Sequence, residues 1–209
     1  MKILVFGDSI WYGKWDSEGW RVARLRKWVD AIYNLSVRSE NAQVYNCCIP
    51  GETALRMQYR FAQELDMKSV ERNKDMPIIV IFAIGINDSC LDPWIQQWQT
   101  PIEEFKKAIH TMISHCQQRK YEVIVIWLTP VDESKVGTLF KNSTIQMYDA
   151  VLRTISQKES VKYIHVFDRF INQWLTDHLY DGLHPDTLWH QKLFEYLTHT
   201  MKDLSITFK

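Results

Sequence analysis

Residues 77–88 read Pro77-Ile-Ile-Val-Ile-Phe-Ala-Ile84-Gly85-Ile86-Asn87-Asp88. Ile78 to Ile84 is an unbroken apolar run rich in β-branched residues, and Gly85 ends it. The run does not alternate between apolar and polar residues. A strand of that kind needs cover on both faces, which is the signature of a parallel sheet between helices. Four similar runs occur elsewhere in the chain. Lys2 to Phe6 stops at Gly7-Asp8-Ser9, and Val44 to Ile49 is closed by Pro50-Gly51. Val123 to Leu128 is followed by Thr129-Pro130, and Tyr163 to Phe167 is the last run.

Helical patterns separate these strands. Val22, Leu25, Val29 and Ile32 share one face of a helix over residues 20 to 33. Ala54, Met57, Phe61 and Leu65 mark a second helix. A third starts with Thr100 as its cap, Pro101 in its first turn and Glu103 completing a capping box. Its buried stripe is Ile102, Phe105, Ile109, Met112, Ile113 and Cys116. A fourth covers about 143 to 158, and a last one follows Pro185 with Trp189, Leu193, Tyr196 and Leu197 on one side. Right-handed crossovers then give a three-layer α/β/α sandwich on a five-stranded parallel sheet. With no repeat, no low-complexity stretch and no Pro/Gly/Ser-rich linker, residues 1–209 are expected to form a single domain.

Composition narrows the function classes. Apolar residues make up 46% of the chain, enough to fill a core. Lys plus Arg balances Asp plus Glu at 25 each, so the basic surplus of a nucleic-acid binder is absent. The densest basic run, Arg21, Arg24, Arg26 and Lys27, interleaves with apolar residues as a solvated helix face does. No segment has the length of a membrane span. The apolar run Ile3 to Phe6 is too short for a secretory leader and no small-residue cleavage site follows. Cys47, Cys48, Cys90 and Cys116 form no paired C-x-x-C pattern. A cytoplasmic location with reduced thiols is the expectation.

In open parallel sheets, ligands bind beyond the carboxyl ends of the strands. That rule selects Gly7-Asp8-Ser9, Pro50-Gly51, Gly85-Ile86-Asn87-Asp88, Thr129-Pro130 and the later segment Asp181-Gly182-Leu183-His184-Pro185. These loops hold what acyl transfer needs: a hydroxyl nucleophile, a base, a carboxylate to orient it, and donors for an oxyanion. Ser9 directly follows a buried strand. Asp181 stands three residues before His184, a spacing that lets its carboxylate reach Nδ1 while Nε2 points outward. The Asn87 amide, the Gly51 N–H and the Ser9 N–H are the candidate oxyanion donors.

These blocks resemble the SGNH hydrolases, also called the GDSL esterase and lipase family. Gly7-Asp8-Ser9-Ile10 is similar to the first block, with Ile10 where many members carry Leu. Gly51 in Ile49-Pro50-Gly51-Glu52-Thr53 resembles the second block's glycine, and Gly85-Ile86-Asn87-Asp88 the Gly-x-Asn-Asp block. Asp181-Gly182-Leu183-His184-Pro185 resembles the final Asp-x-x-His block. The blocks run in family order from residue 7 to 185. The resemblance implies a flavodoxin-like fold and ester hydrolysis without a cofactor. It also implies Ser9, Asp181 and His184 as catalytic residues and Ser9, Gly51 and Asn87 as the oxyanion hole. The implied substrate is a small-molecule ester. Short connections leave little room for a lid, which favours short-chain esters.

Each block alone reads equally as a turn or a helix cap; their order and placement carry the assignment. His178, His184, Asp177, Asp181 and Asp186 bear metal-ligand side chains but match no zinc spacing, so no metal is expected. Cys90 reads as a packed thiol, and the adjacent Cys47 and Cys48 as alternating faces of a strand. Trp11, Trp15 and Trp94 stand beside the blocks and are candidates for an aromatic acyl or alcohol pocket. Two rival readings stay open: an acyltransferase using the same triad, and a silent binding module on the same fold. A homodimer is the default oligomer.

Overall fold

The computed structural model describes residues 1–12, 43–70, 76–94, 96–167, 171 and 177–203. The helix expected over residues 20 to 33, and Trp15, lie outside the described residues. Five strands form the sheet: β1 (Lys2–Gly7), β2 (Gln43–Asn46), β3 (Ile78–Ala83), β6 (Glu122–Ile126) and β7 (Lys162–Ile164). All pair in parallel, in the order β2-β1-β3-β6-β7. Counted along the chain this is 2-1-3-4-5, the doubly wound flavodoxin-like order, with its switch point between β1 and β3. Every residue of β1 and β3 is buried, as their continuous apolarity requires.

Helices α2 (Ala54–Val70), α3 (Ile102–Gln118) and α5 (Asn142–Lys158) lie side by side. Helix α2 packs on β1 and α3, α3 on β6 and α5, and α5 on β7. Their inward faces carry Ala54, Met57, Phe61 and Leu65 on α2, as anticipated, and Phe105, Ile109, Met112, Ile113 and Cys116 on α3, while Ile102 of the expected stripe is only partly buried. Phe6, Phe61 and Phe82 tie β1, α2 and β3 together, with ring centroids 4.8 to 6.2 Å apart. Phe105 meets Tyr148 edge-on at 5.1 Å, joining α3 to α5. Helix α6 (Thr187–Asp203) adds Trp189, Leu193 and Leu197 to the same core, and its Tyr196 hydroxyl donates to the His165 carbonyl. Lys2, at the head of β1, is fully buried; its ammonium donates to the Ser69 carbonyl in the last turn of α2, where the helix dipole favours a cation.

Several details differ from the expectations. Thr100 does not cap α3. It is buried, its N–H donates to the Asp88 carbonyl and its own carbonyl accepts the Tyr148 hydroxyl. Pro101 occupies the capping position with no side-chain bond, and Glu103 pairs with Lys106 instead of closing a box. The second strand ends at Asn46, whose side chain accepts the Cys48 N–H and turns the chain. Cys47 and Cys48 therefore lie past the strand, both buried, rather than alternating across it. A small antiparallel pair, β4 (Leu91–Asp92) and β5 (Gln97–Trp98), follows the Asn87 loop. Two short helices, α1 (Ser9–Tyr12) and α4 (Glu133–Val136), stand beside the site. Among the described residues no helix is long and apolar enough to cross a membrane.

Candidate active site

Ser9 is the first residue of α1, two positions beyond the end of β1. Asp8 makes the turn: its carboxylate accepts the Ile10 N–H at 2.9 Å and its carbonyl accepts the Tyr12 N–H at 2.8 Å. That local bonding is the usual role of an aspartate before a helical turn, and it fixes the direction of the next side chain. His184 comes from the opposite end of the sequence, 175 residues away, and its Nε2 stands 2.8 Å from Ser9 Oγ. Its Nδ1 is 2.7 Å from Asp181 Oδ2. A carboxylate only accepts, so the ring proton resides on Nδ1 and Nε2 accepts the Ser9 hydroxyl proton. Ser9 and His184 are each only 5% exposed.

Asp181 also accepts the N–H groups of Leu183 at 3.1 Å and His184 at 2.8 Å through Oδ1. Burial pushes its carboxyl up, but these bonds and the imidazole outweigh it and hold it below the usual carboxylate range. The carboxylate therefore stays charged beside the ring.

The loop carrying this pair is closed on itself. Leu179 and Pro185 form an antiparallel bridge, Tyr180 N–H donates to the His184 carbonyl, and Asp186 N–H donates to the His178 carbonyl. His178 Nδ1 is 2.7 Å from Asp186 Oδ2, and Asp186 Oδ1 accepts the Trp189 N–H at the start of α6. Four of the five residues with metal-ligand side chains thus form two Asp–His pairs, with Asp177 in neither. Helix α4 docks the loop from outside. Asp132 N–H donates to the Gly182 carbonyl at 2.8 Å, and Lys135 Nζ to the Leu179 carbonyl at 3.1 Å. Gly182 adopts φ +84°, and a Cβ there would sit 2.6 Å from Lys135 Cβ and 3.0 Å from the Asp132 carbonyl oxygen. Gly182→Ala is expected to lower stability by about 1–3 kcal/mol through the left-handed backbone and that contact. Chemical denaturation measures it.

Gly51 and Asn87 are brought to the same edge. Ile49-Pro50-Gly51-Glu52 closes with Glu52 N–H on the Ile49 carbonyl at 3.2 Å. Gly51 has φ +75°, the value a type II turn requires at its third position, with Pro50 at the second. Asn87 lies four residues beyond β3, and its amide donates to the Glu52 carbonyl at 3.0 Å. One amide hydrogen is spent there and the other remains for a ligand. Asp88 is fully buried and accepts the Ala54 N–H with both oxygens at 3.0 Å, pinning the start of α2.

Burial pushes the Asp88 carboxyl up to about 6. Between roughly pH 4 and 6 the folded state keeps a proton that the unfolded chain has released. This residue's contribution to stability therefore falls as pH rises through that window. The Tm of Asp88→Asn, relative to wild type, is expected to rise between pH 4 and pH 7 by calorimetry.

Trp11 lies on α1 two residues beyond Ser9 and is partly buried against the core. Trp94 stands in the β4–β5 turn and is 91% exposed. Cys90 is buried. Asp8, Asp88, Asp132 and Lys135 support the site without having been singled out by residue type. Asp8 and Asp88 lay inside the recognised blocks. The Asp132 N–H and Lys135 meet the loop that carries Asp181 and His184 through groups 44 to 50 residues away, Leu179 and Gly182, which no local pattern marks.

The fold and this edge define a flavodoxin-like α/β protein with a Ser–His–Asp hydrogen-bonded chain beyond its strand ends. The model of the GDSL-like Lipase/Acylhydrolase family matches residues 5–192. The chain belongs to that family. It is 23% identical over 224 residues to a GDSL esterase/lipase of Arabidopsis thaliana, covering 98% of this chain and 87% of the relative. A lipase/acylhydrolase from Enterococcus faecalis superposes with a TM-score of 0.74 at 21% identity, over 97% of this chain and 95% of that one. A variant of Axe2, an acetyl-xylooligosaccharide esterase from Geobacillus, superposes with a TM-score of 0.73 at 18% identity, over 95% and 92%.

Proposed function

We propose that the protein is a serine esterase acting on small, short-chain carboxylic esters through an acyl-enzyme on Ser9. The observation that carries this reading is the continuous chain from Ser9 Oγ through the His184 ring to the Asp181 carboxylate. His184 Nε2 takes the Ser9 proton as Oγ attacks the ester carbonyl carbon. Asp181 holds the tautomer and stabilises the imidazolium that forms. The carbonyl oxygen becomes an oxyanion, stabilised by the N–H groups of Ser9 and Gly51 and the free hydrogen of the Asn87 amide. The imidazolium returns its proton to the leaving alcohol as the C–O bond breaks. Water, deprotonated by His184, then attacks the acyl-enzyme, and the proton passes back to Ser9 as the carboxylic acid leaves. No step calls on a cofactor.

Trp11 and Trp94 belong to this reading as aromatic surfaces for the acyl or alcohol group, and Trp15 is proposed with them on sequence position alone. Preference for short acyl groups draws support from structural relatives named as an acetyl xylan esterase and an acetyl-xylooligosaccharide esterase.

The test is labelling with a fluorophosphonate probe, peptide mass spectrometry, and hydrolysis of p-nitrophenyl esters from acetate to palmitate. Labelling confined to Ser9, with acetate or butyrate cleaved fastest, is the expected result. A folded protein that takes no label and cleaves no ester would put the binding-module reading first. Transfer of the acyl group to added alcohols or sugars, in preference to water, would favour the acyltransferase.

A further inference from the structure

We infer that Arg60 and Glu52 form a positioning pair that holds the oxyanion donors in place, Arg60 acting through Glu52. The inference rests on the proposed roles of Gly51 and Asn87. Glu52 follows Gly51, and its backbone is engaged on both sides of the turn. Its N–H closes the turn on Ile49, and its carbonyl accepts the Asn87 amide. Whatever fixes Glu52 therefore fixes both candidate donors at once.

Its side chain is where the fixing occurs. The Glu52 carboxylate is buried and receives the Arg60 guanidinium as a fork, Nε on Oε1 at 2.7 Å and Nη2 on Oε2. The same Nη2 donates to the Cys47 carbonyl at 2.7 Å, and Nη1 donates to Glu64. The guanidinium carbon lies 5.7 Å from the Phe6 ring centroid. One side chain thus connects α2, the segment after β2, the Gly51 turn and the strand that leads to Ser9. A planar fork sets direction as well as distance, which a lysine ammonium does not.

Stability alone is a poor account of this pair. Taking the Glu52 carboxylate fully and the Arg60 guanidinium partly out of water offsets much of what their attraction returns, and apolar replacements of similar volume are often tolerated. A rigid direction for the Glu52 backbone is what apolar packing would not supply. Catalysis is sensitive to that direction, because donors must already point at the place where charge develops.

The test uses a Glu52→Gln/Arg60→Met double variant, which removes both members of the pair and leaves only the part-exposed Glu64 carboxylate without its Arg60 partner, and Arg60→Lys, which keeps charge but loses the fork. In both, kcat for p-nitrophenyl acetate is expected to fall about 10–100-fold while KM moves by less than about threefold. Inhibition by phenylboronic acid, whose tetrahedral adduct on Ser9 places an oxygen in the oxyanion site, should weaken by a comparable factor. If the double variant does not fold, Arg60→Lys decides by the same readouts. Wild-type kcat in a folded variant overturns the inference. So does a loss of kcat with unchanged boronate affinity, which would mark a structural effect elsewhere. Failure of the wild type to react with either reagent would overturn the esterase reading itself, a separate outcome.

Discussion

Ser9→Ala protein is expected to lose about four to six orders of magnitude in kcat for p-nitrophenyl acetate, with its Tm close to that of wild type. The size follows from chemistry. Without Oγ no acyl-enzyme forms, and only direct attack by water remains, assisted by the oxyanion donors and by binding. The Tm expectation follows from structure. The hydroxyl's hydrogen-bond partner is His184 Nε2, and the turn at Ser9 is made by Asp8 through backbone groups that alanine retains. Steady-state kinetics on purified variant, alongside a thermal melt, make the check. Near-normal turnover by a Ser9→Ala sample free of wild type would falsify the nucleophile assignment.

Asp181→Asn is expected to lower kcat about 10⁴-fold, nearly as much, although it changes a single atom type. The reason lies in how the two carboxylate oxygens are used. Oδ1 accepts two backbone N–H groups, from Leu183 and His184, while Oδ2 faces the ring. An asparagine keeps its carbonyl oxygen where the two N–H groups are. Its NH2 then faces Nδ1 and donates to it, so the ring proton moves to Nε2. In that tautomer the imidazole presents a donor to Ser9 and has no lone pair to take its proton. The loop remains closed by its bridge and by α4, so folding should survive. A variant that melts normally and retains more than a tenth of wild-type kcat would show that Asp181 does not set the tautomer.

Arg60 and Glu52 stand to the oxyanion donors as Asp181 stands to the base. Asp181 orients His184 across three residues, a distance the sequence displays. Arg60 orients Gly51 and Asn87 through Glu52 across an α2 face, β2's exit and the end of β3. Local turns such as Pro50-Gly51 set the shape of each loop. Long-range bonds such as Asn87 to Glu52 and Ala54 to Asp88 set the loops' positions relative to one another.

The main elements and the residues of the Ser–His–Asp chain were legible in the sequence. Continuous apolar runs announce buried parallel strands because no polar residue can face helices on both sides. Helical periodicity identified the inner faces of α2 and α3 because burial selects residues at 3.6-residue spacing. The four blocks were legible because their order and placement resemble a known family, whereas each alone reads as an ordinary turn or cap. Thr100 shows where that logic ends. Its neighbours read as a capping box, but the site of Thr100 beneath Asp88 was decided by packing, and a buried residue serves its surroundings before the next helix. The meeting of Ser9 with His184, the strand order and the roles of Arg60 and Lys135 were likewise decided only in three dimensions. Sequence constrains contacts within a few residues through backbone geometry. Contacts between groups far apart along the chain exist only once the core has closed and fixed which strand ends become neighbours.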